Sequence, residues 1–140
     1  MRITGIPAPL TVPDDAPRQV ADAPHAYPCR RCLTDAEPGE VLRLVAYDPW
    51  TVDSPYRQHG PVFVHDAPCE TAVVAELPEQ QRRRLLSVRA FDAAGLPTTA
   101  EVLPGDEVTA RLAELLEEPS TAFVHLHNAA PGCFAARVDR

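Results

Sequence analysis

Apolar residues fall in short runs cut by proline and glycine, and most of those runs have the period of strands. Residues 41–47 (VLRLVAY) predict a strand, with the turn-forming stretch 35–40 before it. Residues 61–65 (PVFVH) predict a second short strand, and 71–77 a strand or a short helix. Pro78 sits at a plausible first helical position, so 78–86 predicts a brief helix. The alternation in 87–92 (SVRAFD) predicts a strand that turns at Ala93-Ala94-Gly95 and returns antiparallel over 96–102. Val108, Leu112, Leu115 and Leu116 make one apolar face, which predicts a helix over 106–118, capped by Asp106 and ended by Pro119. Residues 121–127 and 133–138 predict a closing hairpin around Asn128–Gly132.

These elements add up to an α+β fold: a mainly antiparallel sheet of five to seven short strands, one firm amphipathic helix (106–118) and one shorter helix. Residues 1–28 hold six prolines and predict a Pro-rich N-terminal arm, packed through Ile3, Ile6 and Leu10 and beginning with a short edge strand. Residues 29–140 form a single globular α+β domain. The length of 140 residues and a hydrophobic content of 45% suit one domain with a core.

The net charge of -7 argues against nucleic acid and anionic membrane surfaces as partners, since both draw on cationic contacts. The run Arg82-Arg83-Arg84 reads as a solvated helix face. All 13 basic residues are Arg, which removes Schiff-base chemistry and the Lys-bearing phosphate loop. The N-terminus does not resemble a signal peptide, and no stretch approaches the roughly 20 apolar residues of a membrane span. The expectation is a soluble, cytoplasmic protein from a GC-rich bacterial genome. In a reducing compartment its four cysteines are thiols or metal ligands rather than disulfides.

Candidate chemistry begins at Cys29-Arg30-Arg31-Cys32. Two residues between cysteines let both sulfurs face one point, as in zinc knuckles. Zinc takes four ligands. His65 and Cys69 offer a second pair, with Cys133 the substitute for His65. Two other readings stand beside this one: buried cysteines packed as small hydrophobes, and a redox dithiol at Cys29 and Cys32.

The hairpin offers a second constellation. Phe123, His125 and His127 share one strand face. Direct closure of the five-residue loop pairs His127 with Cys133, His125 with Ala135 and Phe123 with Arg137. His in this setting suits metal ligation or acid–base work, and Cys133 beside His127 suits an activated thiolate. The bland alternative is the solvent side of a sheet. The loop 48–60, with Trp50, Tyr56, Arg57 and His59, reads either as a binding rim or as a plug of the core.

The stretches YPCRRCL (27–33), SPYRQHGPVFVHDAPCE (54–70), VRAFDAAG (88–95) and NAAPGCFAARV (128–138) resemble the bacterial family catalogued as domain of unknown function 1203. The resemblance covers most of 27–138 and carries no assigned activity. It gives weight to Cys29, Cys32, Tyr56, Gly60, Pro61, His65, Cys69, His125, Gly132 and Cys133. His127 departs from it, standing where similar sequences carry Arg. That departure weakens any mechanism needing the His125/His127 pair.

Three functions follow as expectations. The first is a metal-binding protein, zinc before other metals, using Cys29, Cys32, Cys69 and His65 or Cys133. There the metal ties the arm to the sheet, and a small-molecule pocket lies alongside, built from loop 48–60 and the His125 strand. The second is a metal-free enzyme acting on a small polar or acidic molecule. Its base is His65 or His125, and Tyr56, Arg57 or Arg137 orients the substrate. The third is a protein-interaction module with inert thiols.

Overall fold

The computed structural model describes all 140 residues. Nine strands and two helices follow one another as β1 (Arg2–Thr4), β2 (Arg18–Val20), β3 (Val41–Tyr47), β4 (Gly60–His65), β5 (Val73–Val74), α1 (Glu79–Arg82), β6 (Leu85–Phe91), β7 (Pro97–Pro104), α2 (Gly105–Glu117), β8 (Phe123–Asn128) and β9 (Phe134–Asp139). The six-stranded sheet has the order β5-β1-β9-β8-β6-β7 and the three-stranded sheet β2-β3-β4. All strand pairs are antiparallel. The class is α+β, as the strand-period runs and the single long amphipathic helix predict.

Most predicted elements stand within a residue or two of their expected bounds. Four features differ. The helix expected over 78–86 spans only Glu79–Arg82, and Leu85 and Leu86 already belong to β6. The first 20 residues supply two strands, and β1 lies between β5 and β9 rather than at an edge. Three-residue strands carry too little period to be read from sequence; pairing to neighbours makes them. The helix α2 starts at Gly105 behind Pro104, with no side-chain cap, so Asp106 stands in the first turn, where its charge favours the helix dipole. Residues 71–77 reduce to the two-residue β5.

The larger sheet buries both faces. On one, α2 lays Val108, Leu112, Leu115 and Leu116 against Leu86, Val88, Val124, Leu126 and Val138. On the other, Phe134 joins Ile6, Cys29, Val45, Val62 and Val64, which brings the smaller sheet against β9. Trp50 from the 48–60 loop packs there with Phe91 and Phe123. Every residue of β8 is therefore buried. No helix is long and apolar enough to cross a membrane.

Candidate metal centre

The turn carrying Cys29 and Cys32 is held from several sides. Pro28 bridges Asp35, Cys29 bridges Phe63, and the Cys29 N–H donates to the Thr34 carbonyl at 3.0 Å. Leu33, directly after Cys32, takes a positive φ of 56°, a conformation that favours glycine. Its side chain is 2% exposed in the main core, so burial offsets the backbone cost. The arm presses on the turn from outside. The Ile6 N–H donates to the Arg30 carbonyl at 2.7 Å, and a Cβ on Gly5 would stand 2.1 Å from the Arg31 carbonyl oxygen. Gly5 is thus required by close approach.

This scaffold brings together residues 40 positions apart. One ligand atom from each of Cys29, Cys32, His65 and Cys69 falls within 4.8 Å of the other three. The Cys29 and Cys69 sulfurs are 3.8 Å apart, and Cys32 Sγ lies 3.4 Å from His65 Nδ1. A tetrahedron of thiolates around zinc, at about 2.3 Å per bond, has S···S edges of about 3.8 Å and S···N edges of about 3.5 Å. Both distances match those edges.

The surroundings suit anionic sulfur. The His65 N–H points at Cys29 Sγ (3.4 Å), and Thr34 Oγ1 lies 3.0 Å from Cys32 Sγ. On the far side of the imidazole, the buried Nε2 lies 3.4 Å from Glu40 Oε2 without making a hydrogen bond to it. The crowding is visible in the proton affinities. A hydrogen bond from Cys32, with backbone N–H groups, lowers Cys29 to about 7 against the opposing effect of burial. Giving that hydrogen bond, and burial, push Cys32 up to about 12. Burial, then the neighbouring Cys32, raises Cys69. Three sulfurs this close do not ionise together unaided, and a divalent cation held among them would supply the missing charge. All four cysteines are free thiols.

Cys133 lies outside this cluster. Its sulfur accepts from Arg30 Nη2 at 3.0 Å and from Asn128 Nδ2 at 3.5 Å. It does so on the wall of a cleft of about 540 Å³, whose lining also includes Pro28, Val62 and Phe63. This cleft adjoins the knuckle turn; the pocket expected from loop 48–60 and the His125 strand is a separate, smaller one of about 130 Å³, lined by Pro49, Gln58, His59 and His127 among others.

The hairpin register also differs from direct closure. His127 pairs with Phe134 because the turn takes in Cys133, and His125 pairs with Arg137 because a bulge at Leu126/His127 absorbs one more residue. Phe123, His125 and His127 do share a face, but it is covered rather than solvated. His125 is fully buried between Trp50, Phe91, Phe123 and Phe134, and neither ring nitrogen has a partner. Burial lowers it to about 3. His127 is lowered to about 4, also by burial, and its Nδ1 lies 2.9 Å from the Gly132 carbonyl. A carbonyl only accepts, so this contact places the proton of the neutral ring on Nδ1.

The remaining residues of the enzyme reading disperse. Tyr56 is 51% exposed. Arg57 pairs with Asp48 at the surface. Arg137 is bound to Asp139 and lies over the Phe123 ring at 4.2 Å. Within the Arg82–Arg84 run, the first two are half-exposed, but Arg84 grips the inward-facing Asp35 through both terminal guanidinium nitrogens, Nη1 and Nη2. That pairing stiffens the segment after the knuckle. Sequence patterning missed Arg84's partner and the Arg30–Asn128–Cys133 contact, since both join residues far apart along the chain.

A family model described as protein of unknown function (DUF1203) matches residues 26–140, and the chain belongs to that family. No curated protein and no solved structure matches it.

Proposed function

We propose that this DUF1203 protein binds one zinc ion through Cys29, Cys32, His65 and Cys69, and that the ion fastens the knuckle turn beside a small-molecule cleft. The observation that carries the reading is the pair of ligand distances, 3.8 Å and 3.4 Å, which fit the edges of a zinc tetrahedron. Three sulfurs and one imidazole nitrogen favour zinc over magnesium or calcium, which take oxygen. Four protein ligands leave no open position, so the ion is structural. It would join the turn at 29–32, the end of β4 and the segment before β5, of which only β4 is regular structure. Cys29 and Arg30 belong to that turn, and Arg30 reaches the cleft, so holding the turn also shapes the cleft wall. The apolar lining at Leu44, Val62, Phe63 and Leu85 suits a small, largely apolar ligand.

Elemental analysis of purified protein, paired with thiol titration, tests this. The expected result is near-stoichiometric zinc, three thiols blocked until a chelator is added, and Cys133 free. Protein without metal, whose Cys29, Cys32 and Cys69 titrate at once, would overturn the reading.

A further inference from the structure

Tyr47 ends β3 and Gly60 opens β4, and the two residues pair. In the larger sheet His127, near the end of β8, pairs with Phe134 at the start of β9. Where these two strand ends meet lies the cavity of about 130 Å³. The Tyr47 and His127 rings both pack on the Phe134 ring, with centroids 5.7 Å and 5.9 Å from it. Pro49, Pro61 and Pro131 complete the lining with rigid apolar surface that offers no backbone N–H.

Two polar groups of this lining have no partner in the protein. With the His127 proton on Nδ1 and given to the Gly132 carbonyl, Nε2 carries the lone pair. No protein group donates to it, and unlike the nitrogens of His125 it is not sealed away from solvent. The Tyr47 hydroxyl makes no hydrogen bond either, and burial, then the charge of Asp48, strengthens its hold on its proton. Burial keeps His127 down at about 4. At neutral pH the cavity therefore presents one uncharged acceptor and one uncharged donor. No Asp, Glu or Arg lines it, so a charged ligand would lose its hydration and find no counter-ion. A neutral, planar group carrying an N–H beside a C=O satisfies both the imidazole and the phenol and lies against the Phe134 ring. The amide is the simplest such group.

We propose that this cavity is a binding site for small neutral amides, with the ligand N–H donating to His127 Nε2 and the Tyr47 hydroxyl donating to the ligand carbonyl. The site is distinct from the apolar cleft beside the knuckle turn and shares no residue with the sulfur cluster, so it is independent of the ion.

The test is titration of the purified protein, as isolated, with δ-valerolactam, followed by two-dimensional NMR of the backbone amides. The expected result is saturable shifts centred on Gly60 and Gly132, with a Kd in the millimolar range, as suits a ligand this small. δ-Valerolactone is the same ring with oxygen in place of the N–H. It should bind about tenfold more weakly, because it leaves Nε2 without a donor. Tyr47→Phe, which removes only an unpartnered hydroxyl, should weaken the lactam about tenfold. His127→Phe should weaken it as much and erase the preference for lactam over lactone. Where His127→Phe fails to fold, the wild-type lactam-to-lactone ratio and Tyr47→Phe decide the matter. Equal binding of lactam and lactone, no loss in Tyr47→Phe, shifts centred instead on Leu85 and Ala129 of the larger cleft, or no saturation by about 0.1 M lactam overturns the proposal.

Discussion

At the knuckle turn, Cys29 and Cys69 hold their sulfurs 3.8 Å apart and Cys32 faces an imidazole nitrogen at 3.4 Å. On β8, His125 and His127 keep their ring centroids 6.2 Å apart, packed edge-on against aromatic rings. Both regions are made of residue types that ligate metals, and only the first aims its donor atoms at one point. The strand explains the second. Residues two apart share a face but stand side by side, so their rings lie against the layer above rather than turning toward each other. The turn explains the first, because irregular backbone can point successive side chains inward. What separates a metal centre from a buried polar face is convergence of lone pairs, not the inventory of histidines and cysteines.

The largest expected effect lies in removing what the sulfur cluster would hold. Structural zinc contributes folding energy outright, so a strong chelator should lower the melting temperature by roughly 10 °C or more, with Cys69→Ser producing a similar loss and Cys133→Ser very little. Differential scanning calorimetry with and without chelator checks this; an identical melt in both would erase the contrast with β8.

A middle-sized effect tests the histidine face. His125 is lowered to about 3 from an ordinary 6.5. Above pH 6.5 it is neutral both folded and unfolded. As pH falls below 6.5 the unfolded chain takes up the proton first, so stability drops until about pH 3, where the folded form also protonates. Between pH 6.5 and 5 this group alone should remove about 2 kcal/mol. His125→Phe should flatten that part of the denaturation-versus-pH curve. A variant with the wild-type slope would show that His125 is not the buried neutral ring described here.

The smallest effect belongs to the exposed rim of loop 48–60. Arg57→Ala breaks a half-exposed pair with Asp48 and should change stability by no more than about 0.5 kcal/mol. Chemical denaturation measures it, and a larger loss would place function or packing where the structure shows a surface ion pair.

Much of this was legible along the chain, and the physical reason is local. The β3 and β4 strands follow from β-branched runs bounded by turn residues, α2 from the spacing of Val108, Leu112, Leu115 and Leu116, and the knuckle from two cysteines three positions apart. The pairing of Cys29 and Cys32 with His65 and Cys69 was a matter of ligand counting: zinc takes four, and few residues could supply the other two. Local pattern also sufficed to put Phe123, His125 and His127 on one face.

Tertiary structure alone decided what covers that face, because burial depends on the smaller sheet and Trp50 arriving from elsewhere. It decided the hairpin register, where a turn one residue longer moved His127 from Cys133 to Phe134 and a bulge then moved His125 from Ala135 to Arg137. It decided, too, that Arg30, between the two cysteines of the knuckle, turns away from them to meet Cys133, 103 positions later. Hydrophobic period and turn chemistry act over a few residues and can be read in order. Contacts between distant side chains depend on how sheets and loops pack, and no short stretch of sequence contains that information.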